Sequence, residues 1–325
     1  MKCINKKLTC CLILITCLLL SGCGQNQYAM KYNRNSLVSA YNFSEGTVNG
    51  SVCEGYAADL CVVTGDVSGN NIDTSRAEAA LLCDENSSEV LYSKNAFVQL
   101  HPASLTKVMT ALVALKYGDL DDELVASSNV EITESGATLV GIKPGDKMTL
   151  SQALYCLLIP SGNDAAIMIA EHIGGSVESF CDMMNKEAQA IGATGCHFVN
   201  PHGLTDEAHY VTAYDIYLIF REAMKYDAFV EVISTPVYTT VYYDREGMPK
   251  EYTCENTNYY LNGNKQAPQG VTVIGGKTGT TNAAKSCLVL LSKDTSANPY
   301  ISVIMKCDER GILYDEMTDM LGLIK

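Results

Sequence analysis

The feature that most constrains this chain is a change of hydrophobic period along its length. Residues 77–83, 89–93, 237–243, 271–274, 287–292 and 301–305 are short runs rich in apolar, β-branched or aromatic residues with turn signals between them, and they read as strands. From 119 to about 230 the spacing is mainly helical. Thr149-Leu150-Ser151-Gln152 reads as a capping box, and Leu150, Ala153, Leu154, Leu157 and Leu158 form the buried stripe of the helix it opens, which Pro160 ends. Helices over 164–173 and 176–192 follow, Thr212-x-x-Asp215 opens another, and 313–325 closes the chain as an amphipathic helix. Strands at both ends around a helical middle predict an α+β fold. One antiparallel sheet is built from the two termini, and a helical subdomain is inserted between them.

Residues 1–22 stand outside that fold. Lys2, Lys6 and Lys7, the apolar run 12–20 and the small pair Ser21-Gly22 form an export signal, too short to span a membrane in the mature chain. Leu20-Ser21-Gly22-Cys23 resembles the lipobox of bacterial lipoproteins. That likeness implies lipid on Cys23 and a mature protein held at the outer face of the cytoplasmic membrane; the alternative is an ordinary secretory signal with an incidental cysteine. Residues 23–56, rich in Asn, Ser, Gly and Tyr, read as a tether, and 57–325 as the folded domain. Without the signal the chain carries 20 Lys+Arg against 37 Asp+Glu, a net charge of −17, which repels phosphate backbones and excludes nucleic acid as a partner. Nine cysteines remain besides Cys23, with no Cys-x-x-Cys and no His pair at ligand spacing, so no metal site and no cofactor is expected. Cys61, Cys83 and Cys287 sit in apolar runs where a free thiol behaves as a small hydrophobe, and few or no disulfides are expected.

The chemistry begins at Pro102-Ala103-Ser104-Leu105-Thr106-Lys107. Apolar residues at 105, 108, 109, 112 and 113 repeat with helical spacing, which places Ser104 in a first turn and brings Lys107 to the same face. A serine hydroxyl needs a base, and a lysine serves when burial and a nearby cation lower its pKa. Ser-x-x-Lys alone is weak, since roughly one occurs by chance in a chain this long. Two further motifs change its weight. Ser161-Gly162-Asn163 follows Pro160 between two helices, and Lys277-Thr278-Gly279 lies on a strand. Each has a plain reading, as an interhelical turn or a strand end. Their joint occurrence in this order is the set found in penicillin-binding proteins and class A β-lactamases.

With Asn200-Pro201-His202-Gly203-Leu204, Asn256-Thr257-Asn258 and residues 275–282, the stretch from about 77 to 325 resembles the D-alanyl-D-alanine carboxypeptidase family of low-molecular-mass penicillin-binding proteins. The likeness implies a five-stranded antiparallel sheet sandwiched by helices. It also implies removal of the terminal D-alanine from peptidoglycan stem peptides, through an acyl-enzyme on Ser104 that β-lactams mimic. By the same likeness Lys107 is the base, Ser161 relays a proton, and Asn163 holds Lys107 and the substrate amide. Lys277, Thr278, Gly279 and Thr280 bind substrate, with the Ser104 and Thr280 amides as oxyanion donors. Gly275, Gly276 and Gly279 are expected to leave the strand edge open to an extended peptide.

Some features depart from the family pattern. The arginine that relatives place after the last strand to hold the substrate carboxylate aligns with Leu313, and Arg310 lies out of register. The lipid on Cys23 is expected to replace the C-terminal amphipathic membrane helix of many relatives. Ser-Gly-Asn rather than Ser-Asp-Asn, without a recognisable deacylating Glu loop, favours slow release of β-lactams over their hydrolysis. A β-lactamase or D,D-endopeptidase on the same fold, and a non-catalytic β-lactam sensor, are the alternatives.

Overall fold

The computed structural model describes residues 60–69 and 72–324, and the backbone of two short antiparallel strands, Thr47–Val48 (β1) and Ser51–Val52 (β2). The export signal, Cys23 and nearly all of the tether lie outside the described residues. Everything below concerns the unit that begins at Asp59.

Continuous apolar runs set the main sheet. Ala79–Asp84 (β3) buries both of its faces, and Glu89–Lys94 (β4) returns beside it through the turn 85–88. The chain then enters a 3-10 turn, Ala103–Leu105, continuous with the helix Thr106–Tyr117 (α1). Residues 106–114 are all buried, so this helix runs through the core instead of lying on it. Two short strands, Glu123–Val125 (β5) and Lys147–Thr149 (β6), precede the helices Leu150–Leu158 (α2), Asn163–Gly174 (α3), Val177–Ala190 (α4), Ala213–Ala223 (α5) and Asp227–Ser234 (α6). Val237–Tyr243 (β7) and Pro249–Glu255 (β8) form a hairpin. The long strands Thr272–Thr281 (β9), Lys285–Lys293 (β10) and Pro299–Cys307 (β11) then lead to the closing helix Arg310–Leu321 (α7).

The five-stranded sheet has the order β4-β3-β11-β10-β9 and is antiparallel throughout. One face, through Leu81, Val289 and Val303, packs on the helices of the middle segment; the other, through Leu82, Leu290 and Ile304, packs on Leu313, Met317 and Leu321 of α7. Each fully buried aliphatic side chain contributes roughly 1.5–3 kcal/mol. This is the α+β arrangement expected from strands at both ends, and both capping boxes form, Thr149 with Gln152 and Thr212 with Asp215.

Three local expectations are corrected. Residues 119–149 are not mainly helical: they hold β5, β6 and loop, because Gly136, Gly141 and Gly145 all adopt left-handed backbone that interrupts a helix. The run 237–243 does not join the main sheet but a second, four-stranded one of order β5-β6-β7-β8, and its partner β8 was hidden by a polar sequence that buries only Cys254. The closing helix starts at Arg310, not at Leu313.

Candidate active site

Ser104 occupies the middle of the 3-10 turn that leads into α1, and Ala103 before it has φ +48°, a left-handed conformation that costs roughly 1–2 kcal/mol for a residue with a Cβ. Its neighbours hold it there. The Thr106 hydroxyl donates to the Ala103 carbonyl at 2.9 Å and accepts from His209 Nε2 at 2.9 Å, while His209 Nδ1 accepts from the Val199 amide at 3.2 Å. Gly203, with φ +87°, lies so close that a Cβ there would stand 1.8 Å from the Ala103 oxygen. The loop Asn200-Pro201-His202-Gly203-Leu204 is therefore the backing of the nucleophile turn.

Lys107 is fully buried one turn on. Its Nζ lies 2.9 Å from Ser104 Oγ, 2.7 Å from Asn163 Oδ1 and 2.7 Å from the His202 carbonyl oxygen. The last two are carbonyl oxygens and only accept. A neutral amine has two N–H groups and one lone pair; with both N–H groups committed to those acceptors, the lone pair is left to the Ser104 O–H. Burial, and then the charge of Lys277, push the Lys107 pKa well below the ordinary lysine value, against an opposing pull from Asp164. Lys277, 1% exposed, donates to Ser161 Oγ at 3.0 Å and to the Thr278 carbonyl at 2.9 Å. Burial, with Arg310 adding, brings its pKa down to about 7. Ser161 has φ +71°, so the Ser-Gly-Asn turn is bent to aim its hydroxyl at Lys277.

Asn163 begins α3, and Asp164 beside it is 1% exposed. The Asp164 carboxylate accepts backbone N–H bonds from Val140 (3.0 Å), Gly141 (2.8 Å), Ile142 (3.0 Å) and Ala165 (3.0 Å), and the Asn163 amide donates to the Thr138 carbonyl at 2.8 Å. These bonds pin the loop over 138–142 against the start of α3. With β9 and the His202 loop, the preceding part of that loop encloses a cleft of about 490 Å³ that opens on Ser104, Asn163 and Thr280.

The third wall is β9, an edge strand. A Cβ on Gly279 would stand 3.1 Å from the Ser104 amide nitrogen, so the absent side chain lets the strand pass beside the nucleophile turn. Gly275 and Gly276 act differently from expectation. A Cβ there would meet the Ile233 and Val289 carbonyls, at 2.4 and 2.1 Å, so they serve close internal packing and not an open edge. Thr278 exchanges a hydrogen bond with Thr257 at 2.6 Å. Leu313 is 1% exposed in the α7 core, which removes it as a carboxylate ligand. Arg310, one turn earlier, has its guanidinium carbon 5.3 Å from the Tyr259 ring centre, and its charge acts on Lys277.

All eight proposed site side chains and backbones of the domain thus converge: Ser104, Lys107, Ser161, Asn163, Lys277, Thr278, Gly279 and Thr280. Sequence reasoning missed Asp164, His209 and the placement of Arg310. Asp164 directly follows Asn163, and only the loop it binds, 24 residues away at its far end, shows its use.

A cleft-facing serine on a buried lysine, completed by a second lysine on an edge strand, defines a serine acyl-transfer site on a penicillin-binding fold. The comparisons agree. The family model described as D-alanyl-D-alanine carboxypeptidase matches residues 66–309. The chain is 37% identical over 223 residues to D-alanyl-D-alanine carboxypeptidase DacF of Bacillus subtilis, covering 67% of this chain and 54% of that protein. It is 36% identical over 215 residues to DacB2 of Mycobacterium tuberculosis, covering 66% and 69%. Among solved structures it matches the Streptomyces K15 DD-transpeptidase with a TM-score of 0.72 and 28% identity, over 78% of this chain and 98% of that one. The chain belongs to the D-alanyl-D-alanine carboxypeptidase family of serine peptidases. It spans about half the length of the DacF protein that it matches.

Proposed function

We propose that this protein is a serine D-alanyl-D-alanine carboxypeptidase that removes the terminal D-alanine from peptidoglycan stem peptides and is acylated by β-lactams at the same serine. The observation that carries this reading is the Lys107 amine, buried, 2.9 Å from Ser104 Oγ, with its other two directions bound to carbonyl oxygens. Neutral Lys107 takes the Ser104 proton as Oγ attacks the penultimate D-alanine carbonyl. The amides of Ser104 and Thr280 stabilise the oxyanion, each such donor being worth about 2.7–4 kcal/mol in the transition state. Ser161 passes its proton to the departing amine and draws another along the Lys277 hydrogen bond at 3.0 Å. Water then attacks the ester carbonyl, its proton returning through Ser161 to Lys277, while Lys107 gives the Ser104 proton back to the departing Oγ. Lys277 and Thr278 within β9, with Arg310 at the start of α7, suit the substrate carboxylate, Arg310 standing in for the arginine expected at Leu313. Asn163 keeps Lys107 aimed.

The lipobox-like Leu20-Ser21-Gly22-Cys23 supports a lipid on Cys23 and a place at the outer face of the cytoplasmic membrane. Cys23→Ala then moves the protein from the membrane to the soluble fraction.

Ser104→Ala tests the catalytic reading. It abolishes both D-alanine release from a stem pentapeptide and covalent labelling by a fluorescent penicillin; continued release rejects the assignment. Nitrocefin turnover outpacing D-alanine release by the unmodified protein would make it a β-lactamase instead.

A further inference from the structure

The carboxypeptidase reading fixes how a peptide runs through the cleft, and that direction exposes one side chain with no role so far. The C-terminal carboxylate belongs at Lys277 and Thr278. The reacting carbonyl belongs at Ser104. A peptide extended beside β9 therefore lays its preceding residues toward Thr281 and Ala283, antiparallel to that strand, into the 490 Å³ cleft. Apart from Leu204 the lining of this acyl side is small or polar, and it holds a single charged side chain, Glu134. The one other titratable side chain there, His202, is half-buried and uncharged at neutral pH, with Nδ1 accepting from the Leu204 amide at 3.1 Å.

Glu134 is exposed, and among the described residues no ion pair or side-chain hydrogen bond engages its carboxylate. Its loop is nonetheless held in place. Its own carbonyl accepts the Ala137 amide at 3.2 Å, and a few residues on, Thr138 and residues 140–142 are bound to Asn163 and Asp164. Asn163, which holds the Lys107 amine, thus also helps Asp164 hold the wall that carries Glu134. Across the cleft, Thr205 is followed by Asp206 and Glu207, and Lys285, which opens β10 just after the Thr281–Ala283 lining, is paired with Asp308. The acyl-side mouth is therefore negative, with a free carboxylate at its rim.

We propose that Glu134 is a specificity-determining residue that selects peptides carrying a protonated amine on the side chain just before the D-alanyl-D-alanine unit, and disfavours those in which that amine is acylated. The consequence is a preference for strands whose amine has not yet been joined to a neighbour over strands already joined through it. This inference rests on the carboxypeptidase reading of the site.

Three substrates test it: Nα-acetyl-L-lysyl-D-alanyl-D-alanine, its Nε-acetyl derivative and its Nε-succinyl derivative, assayed by D-alanine release. The wild-type protein turns over the free amine with kcat/KM about two- to fivefold above the Nε-acetyl form, the range a partly solvated ion pair supplies, and the succinyl form falls lower still. Added salt shrinks the difference. Glu134→Gln removes the preference, and Glu134→Lys favours the succinyl form. A wild-type preference that survives unchanged in Glu134→Gln, or no preference in the wild type, overturns the inference alone. Failure of the wild type to release D-alanine from all three overturns the carboxypeptidase reading and the inference with it.

Discussion

Replacing Asp164 with asparagine changes one oxygen for an NH2 group without changing shape, and the consequences follow from the hydrogen bonds counted at that carboxylate. Oδ1 accepts from Val140 and Ala165, and Oδ2 accepts from Gly141 and Ile142. Whichever way the amide of Asp164→Asn turns, its NH2 faces two backbone N–H groups, so two donors lose their acceptor. Each such loss costs about 1–3 kcal/mol, hence about 2–6 kcal/mol in all. A domain of this size moves by about 2–4 °C per kcal/mol, so the melting temperature falls by at least about 4 °C. The rate of acylation by a fluorescent penicillin falls too, because the released loop also holds the Asn163 amide through Thr138. Thermal unfolding followed by circular dichroism, with stopped acylation time courses, measures both. A melting temperature within about 1 °C of wild type would refute the account of the loop as clamped by that carboxylate, and Asp164→Ala, which removes all four hydrogen bonds, must then prove harmless as well.

Two other consequences concern pH. As the base, Lys107 acts only when neutral, so kcat/KM rises as pH climbs through its pKa. Asp164 is the charge that opposes the lowering of that pKa, so Asp164→Asn moves the acid limb to lower pH; Arg310 adds to the lowering at Lys277, so Arg310→Gln moves the alkaline limb to higher pH while raising KM. Limbs that stay in place in both variants contradict the assignment of the two lysines. Burial also holds His202 down to about 3 and His209 down to about 4, against an ordinary value of 6.5. Between those values the unfolded chain takes up protons that the folded one refuses, so stability is full above pH 6.5 and drops by about 1.4 kcal/mol per pH unit for each histidine as pH falls. Urea midpoints at pH 5 and pH 7.5 should differ less in His209→Gln than in wild type; an equal difference removes His209 from the explanation.

Much of the fold is legible in the chain because it rests on local rules. Continuous apolar runs at both ends specify strands with two buried faces, and Thr149-x-x-Gln152 and Thr212-x-x-Asp215 specify helix starts through side chains that reach their own backbone. The second sheet escaped this reading, since β8 presents mostly polar side chains to solvent and is held by its register with β7, a property of the pair and not of either segment. Arg310 escaped it for a related reason: counting residues past the last strand cannot say where α7 begins, and only the start at Glu309 and the burial of Leu313 decide which side chain turns toward Lys277.

The three motifs, their order and their residue types were written in the sequence, and with them the chemistry that a serine, two lysines and an asparagine permit. What the sequence could not contain is the state of those groups. Lys107 lies 56 residues from Asn163 and 95 from His202, and its neutrality comes from being enclosed by carbonyl oxygens contributed by segments that far apart. An exposed lysine in the same motif keeps its proton and is no base. Only packing takes the amine out of water, and desolvation, which no local pattern encodes, is the physical step that turns a common tetrapeptide into a catalyst.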